Sequence, residues 1–434
     1  MNDISKNNTA PTPPMGWNSW DCYGASVNEE TLLKNAAWMA EHLKPYGWEY
    51  IVCDIEWSEP NADSTEYHPF ADLCMDEYSR LIPAPNRFPS AANGRGFGPI
   101  AKKIHAMGLK FGIHIMRGIP RQAVHRNTPV LGTEATARDL AHPYSCCRWN
   151  TDMYGVNPKA PGAQAYYDSI FQLYAEWGVD YVKVDDICNT NNRLLDPYSG
   201  APEIEMIRRA IDRCGRGMVL SLSPGPAPIE HAWHLKEHAN MWRITDDLWD
   251  DWRLLKAMFE RCEVWQSHVG PGCWPDCDML PLGVIRCFQP FYGEETRFTR
   301  DEQITLMTLW CIFRSPLMMG GDLPRTDAWT LSLLTNPEVL RLTNRSFAPR
   351  QVLRTEEEAV WTSKDENGST NIALFNLSEA PRKMAIPGEL LPDGGTLRDL
   401  WAKKDLPEDE RTFVIPPHGA RLFAVKVRAS ISRG

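Results

Sequence analysis

Tyr181-Val182-Lys183-Val184-Asp185-Asp186 reads as a short buried strand with charge where apolar residues belong. Strand side chains alternate, so Val182 and Val184 face one way while Lys183 and Asp185 face the other. A lysine and a carboxylate on one face of a core strand are costly to bury unless they are paired or used. In a parallel α/β barrel, the C-terminal ends of the strands are where such groups are used. A structural ion pair is the alternative, and the rest of the chain decides between the two.

Working outward, strand and helix patterns alternate on both sides. Strand candidates fall at residues 15–20, 50–55, 110–115, 181–186, 219–224, 241–247, 264–269 and 316–323. Helical spacing of apolar residues predicts helices over 28–45, 100–107, 163–177 and 203–214. Near-continuous apolar strands alternating with helices imply a parallel sheet, and eight candidates favour a closed (β/α)8 TIM barrel. No glycine-rich loop follows the first strand, which argues against dinucleotide binding. Residues 58–95 read as loop, and 117–162 as a long irregular insertion of the kind that covers a pocket mouth. From about Arg350 the pattern changes to short strands at 360–361, 372–375, 396–398, 412–415 and 420–425, separated by turn clusters. The expected organisation is a catalytic barrel over 1–345 and a C-terminal antiparallel β-sandwich domain over 346–434. That second domain has three candidate roles: an interface in a homo-oligomer, a stabilising cap or a wall of the pocket.

The 434 residues are 43% hydrophobic and 24% charged, ordinary for a soluble globular protein. A net charge of −10 argues against nucleic-acid and acidic-membrane partners. No run is long enough for a transmembrane helix. The first twenty residues lack a basic segment followed by an apolar one, so a cytoplasmic location is expected. The twelve cysteines are then expected to be reduced thiols. Cys273 and Cys277 flank Asp276, but no second Cys or His pair follows nearby, so no metal site is expected there.

Acidic residues recur at the strand ends: Asp54, Asp185, Asp247 and, in a Pro/Gly-rich loop, Asp278. By alternation Arg243, Thr245 and Asp247 share a face, so Asp247 belongs with Arg243 as Asp185 belongs with Lys183. Two carboxylates with different surroundings can hold different protonation states, the division of labour that glycoside hydrolysis requires. Asp186, Asp246, Asp250 and Asp251 read as helix caps or solvated charge. Two other readings stand beside this one. A metal-dependent barrel enzyme would need further ligands, for which His114 is the candidate, although a hydrogen-bonded core histidine explains it as well. A catalytically silent carbohydrate-binding protein would be signalled by loss of Asp185 or Asp247, and both are present.

Pro13–Trp20, Tyr181–Asp185, Trp242–Asp247 and Gly270–Leu280 resemble, in order, the motifs of glycoside hydrolase family 27. That family contains α-galactosidases, α-N-acetylgalactosaminidases and β-L-arabinopyranosidases. The resemblance implies a (β/α)8 barrel followed by an antiparallel β domain, a retaining mechanism, and no cofactor or metal. It also implies Asp185 as nucleophile and Asp247 as general acid/base, with carboxyl groups roughly 5–5.5 Å apart. Trp20, Asp54, His114, Lys183, Arg243, Asp278 and Met279 are then the residues that meet the sugar, and a small oligosaccharide or glycoside is the substrate.

Departures from the family pattern carry more information. Its α-galactosidases have two successive aspartates after the second strand, holding the 4- and 6-hydroxyls, where this chain has Asp54-Ile55. Isoleucine accepts no hydrogen bond, and an unsatisfied buried hydroxyl costs about 1–3 kcal/mol. β-L-Arabinopyranose is α-D-galactopyranose without the C6 hydroxymethyl group, so Ile55 is expected to fill the space that group leaves. The expected activity is therefore that of a β-L-arabinopyranosidase, with α-galactosidase, or α-N-acetylgalactosaminidase, on the same site as the alternative. Glu56, one position on, is the other side chain able to meet a 6-hydroxyl. Ser223 falls near the position where galactosidases place a glutamate that reads the 2-hydroxyl. The disulfide of secreted members is missing, its positions falling near Ala25 and at Glu56.

Overall fold

The computed structural model describes residues 5–190, 196–288, 293–391 and 395–426; the last eight residues of the expected β domain lie outside them. Eight parallel strands form the first sheet: β1 (Met15–Asn18), β2 (Tyr50–Cys53), β3 (Lys110–Met116), β4 (Tyr181–Asp185), β5 (Val219–Leu222), β6 (Met241–Arg243), β7 (Trp274–Asp276) and β8 (Leu317–Met319). They pair in chain order, and β8 returns to β1. The ring is closed beyond β7, where Leu280 bridges to Met319 in parallel and its N–H donates to the Met318 carbonyl at 2.8 Å. The result is the expected (β/α)8 barrel.

Helices α1 (Glu29–His42), α2 (Gly98–Ala106), α3 (Ala163–Trp177), α4 (Ala201–Arg213), α5 (Ala232–His238), α6 (Trp252–Trp265) and α7 (Arg300–Phe313) alternate with the strands. Their starts and stops follow from local chemistry. Asn28 and Thr31 cap α1 reciprocally at 3.0 and 3.1 Å, and Thr299 and Glu302 do the same for α7. Gly178, at φ 82°, ends α3 with its N–H on the Ala175 and Tyr174 carbonyls, a left-handed cap that glycine adopts without strain. Alternation splits the strand residues between two cores. Ile51, Cys53, Val182, Val184, Leu220 and Trp242 pack outward against the helices, and Tyr50, Val52, Tyr181, Val219, Met241 and Met318 fill the barrel.

Some expectations needed correction. The apolar run 264–269 is not a strand: it lies at the end of α6 and in a 3-10 turn, Gln266–His268. The seventh strand is Trp274–Asp276, whose proline disguises it. Strand β6 stops at Arg243, so Asp247 lies beyond the strand rather than on its alternating face. The insertion after β3 is more regular than expected. Ile119–Pro120, Met153–Val156 and Ala141–Cys146 make a small antiparallel sheet.

After the barrel, β9 (Ser346–Arg354), β10 (Glu358–Asp365), β11 (Thr370–Asn376), β12 (Arg382–Ala385), β13 (Thr396–Asp399), β14 (Lys404–Asp405), β15 (Thr412–Ile415) and β16 (Ala420–Lys426) form antiparallel sheets. One has the order β9-β10-β11-β16-β13-β14, and β12 pairs with β15 in a second. Val360, Ile372, Leu374, Phe413 and Phe423 are buried between them. Sequence patterning missed β9, β12 and β14. This unit packs on the barrel through aromatic contacts, Phe259 against Phe375 and Trp252 stacked 3.9 Å from His418.

Candidate active site

On β2 and β4 the inward face climbs from the apolar floor to charge. On β4, Tyr181 belongs to the floor, and Lys183 and Asp185 follow two and four residues later. On β2, Tyr50 and Val52 lead to Asp54 by the same alternation. A cavity of about 270 Å³ opens there, at the C-terminal ends of the strands. Trp20, Asp54, Ile55, His114, Lys183, Asp185, Arg243, Asp247, Asp278 and Met279 all line it.

The pairing of charges differs in part from expectation. Lys183 does not pair with Asp185; its ammonium lies 3.0 Å from Asp54 Oδ2, which also accepts from Asn18 Nδ2 at 2.7 Å. Burial disfavours the Asp54 carboxylate, but the Lys183 charge and the Ile55 N–H and Asn18 bonds outweigh it, holding the carboxyl well below the usual range. Asp185 Oδ2 instead accepts from His114 Nε2 at 3.0 Å, and Oδ1 accepts the Asp186 N–H at 2.8 Å. Burial again opposes ionisation. The His114 bond, the Lys183 charge and that N–H together keep Asp185 below the ordinary aspartate range.

Across the cavity, Arg243 is the shared cation. It reaches Asp278 at 2.7 Å and Asp247 at 3.1 Å, the second contact as expected. Burial pushes Asp278 up to about 7 against the pull of Arg243, and Asp247 and Asp276 add to the rise. The Asp247 side chain is 57% exposed and Asp185 only 14%, so one carboxylate lies at the mouth and the other at depth.

Ile55 is 4% exposed and packs with Met116 and Met153. Glu56 turns away in a left-handed conformation, φ 67°. It accepts from Asn150 Nδ2 at 2.7 Å and does not line the cavity. Burial, reinforced by Asp152 and Glu59, raises its carboxyl well above the usual range.

Ser223 is the expected site residue that the structure leaves out of the lining. Its hydroxyl faces the Val184 carbonyl at 3.5 Å, and the next residue, Pro224, meets the cavity instead. Asp186 and Asp250 are not caps: Asp186 pairs with Arg117 at 2.9 Å, and Asp250 is held by both terminal nitrogens of Arg286 at 2.7 and 2.8 Å. Asp251 does cap, accepting from the Arg253 N–H at the start of α6. Cys273 and Cys277 do not converge on one point; Cys277 Sγ lies 3.5 Å from Cys262 Sγ and Cys273 Sγ faces Lys6 at 3.5 Å.

The reading of the residues missed several aromatic and acidic walls. Tyr67, from the 58–95 loop, stacks on Trp20 at 6.0 Å and 7°, and Trp149, from the insertion, meets Tyr67 at 5.3 Å. The insertion reaches the cavity through Trp149, which nothing in its sequence singles out. Asp21 follows Trp20 directly and lines the cavity, and burial raises its carboxyl well above the usual range. Among the described residues, none of the C-terminal β unit lines the cavity. No described helix is long and apolar enough to cross a membrane.

Comparison with known proteins agrees with this geometry. Residues 152–345 match the family model for alpha galactosidase A, and 355–425 that for the alpha galactosidase C-terminal beta sandwich domain. A β-L-arabinopyranosidase of Geobacillus stearothermophilus is 56% identical, with 99% of each chain covered and a TM-score of 0.94. A variant of that enzyme in complex with arabinose is also 56% identical, covering 98% of this chain and 100% of the other at a TM-score of 0.95. Alpha-galactosidase 3 of Arabidopsis thaliana is 26% identical over 413 residues, 93% of this chain and 78% of the relative. With over half of its residues shared along the whole length of an enzyme of that class, the chain belongs to glycoside hydrolase family 27.

Proposed function

We propose that the protein is a retaining exo-glycosidase that releases terminal β-L-arabinopyranose, with Asp185 as nucleophile and Asp247 as general acid/base. The observation that carries the substrate assignment is Ile55. An apolar side chain backed by Met116 and Met153 lines the cavity beside Asp54, and Glu56 is turned away from it. A sugar bearing a C6 hydroxymethyl group there would lose a hydrogen-bond partner and meet a methyl surface, whereas a pentopyranose presents only a ring methylene. Likeness to the Geobacillus arabinopyranosidase supports the same reading.

In the mechanism, Asp185 attacks the anomeric carbon as a carboxylate. Its bonds from His114 and Asp186 keep it ionised and fix its direction. Asp247, at the open side, donates a proton to the leaving oxygen and then takes one from the water that releases the sugar. Asp54 and Lys183 form a charged pair suited to sugar hydroxyls deep in the cavity, and Trp20 with Tyr67 offers a stacked aromatic wall. A cytoplasmic location is part of this proposal, supported by twelve cysteines that stay unpaired.

Proton NMR during hydrolysis of an aryl β-L-arabinopyranoside tests the mechanism. The first sugar formed should be the β anomer. Early appearance of the α anomer would mean inversion and would overturn Asp185 as a nucleophile.

A further inference from the structure

Away from the barrel mouth, one group of side chains among the described residues has the donor set of a metal site: Glu205 on α4, and His234 and His238 on α5. The two histidines stand four apart on one helix and so share a face; their rings lie 4.3 Å apart, centroid to centroid. One donor atom from each of the three residues lies within 4.8 Å of the others. His234 is 4% exposed, and its Nε2 has no hydrogen-bond partner, facing Glu205 Oε1 at 3.5 Å. Its other nitrogen, Nδ1, lies 2.9 Å from the hydroxyl of Tyr198, a buried ring stacked on His231. In the tautomer that donates from Nδ1 to this hydroxyl, the Nε2 lone pair faces the cluster, which is how metal-binding imidazoles are oriented.

We propose that Glu205, His234 and His238 bind one divalent cation of the zinc class, tying α4 to α5. Two imidazoles and a carboxylate are a donor set zinc accepts with water in the fourth position, while calcium and magnesium favour oxygen ligands throughout. Glu205 and His238 are only partly buried, which gives the ion a way in. Arg209 engages Glu205 through Oε2, at 3.4 Å, and leaves Oε1 for the metal. None of the three residues lines the catalytic cavity, so the ion stands apart from the glycosidase chemistry. The histidine pair alone is too common a spacing to reveal this from sequence; the glutamate comes from the preceding helix.

Zinc titration of the tag-free, metal-stripped full chain tests this by calorimetry, with Co²⁺ absorption as a second readout. The wild type should take up one ion per chain. His238→Ala and Glu205→Gln, changes at partly exposed positions, should each bind more than about 10-fold more weakly, and Tyr198→Phe about 10- to 100-fold more weakly. The bound Co²⁺ should show d–d bands without thiolate charge transfer. No stoichiometric uptake by the wild type, unchanged affinity in His238→Ala and Glu205→Gln, or a thiolate spectrum would each overturn the assignment.

Discussion

His114 Nε2 lies 3.0 Å from Asp185 Oδ2, and this contact takes the place that Lys183 was expected to fill. Lys183 is committed to Asp54. The Asp185 carboxylate therefore owes its ionised form first to a neighbouring hydrogen bond and only then to the lysine charge. The dependence on pH follows from that order. A nucleophile must be ionised, so activity falls as pH drops through its pKa. His114→Phe removes the bond and should move the acidic limb of kcat/KM to higher pH. An acidic limb unchanged in the variant would separate His114 from the control of Asp185.

Asp185→Asn should lower kcat by about four orders of magnitude or more, since groups that form the covalent bond act as a unit with the rest of the site. Calorimetric binding of L-arabinose should survive, because Asp54, Lys183 and Arg243 remain in place. Residual turnover near the wild-type level would remove Asp185 from the nucleophile role.

Ile55→Asp places a hydrogen-bond acceptor where the 6-hydroxyl of a galactoside would lie. The ratio of kcat/KM for α-D-galactopyranoside over β-L-arabinopyranoside should rise by about 10-fold or more, as expected for restoring one buried hydrogen bond. A ratio that stays put would show that another side chain filters C6.

Much of this site was legible because it follows simple periodicities. Alternation along Tyr181–Asp185 identified which residues face the cavity, and the helix at 163–177 is bounded by glycines that end it on both sides. What was not legible depends on contacts distant in sequence. The carboxylates of Asp186 and Asp250 look like caps until Arg117 and Arg286, 69 and 36 residues away, are brought against them. Ser223 faces a backbone carbonyl rather than the cavity, a matter of rotamer and local turn that its position cannot disclose. The seventh strand carries a proline, and the more strand-like run at 264–269 belongs to the end of an amphipathic helix, where period alone misleads.

The Asp250–Arg286 pair is nearly inaccessible, with side chains 3% and 7% exposed. Removing one partner leaves the other charge buried and unpaired. Asp250→Ala should therefore destabilise the fold by about 3–5 kcal/mol, measured by chemical denaturation. A loss below about 1 kcal/mol, the range of exposed ion pairs, would show that water replaces the carboxylate.

The central claim is the substrate, and it is tested most directly by measuring kcat/KM of the wild type for two aryl glycosides, β-L-arabinopyranoside and α-D-galactopyranoside, side by side. With Ile55 closing the C6 position, the arabinoside should be preferred by about 10-fold or more. An equal or greater value for the galactoside would contradict the role given to Ile55 and make the protein an α-galactosidase.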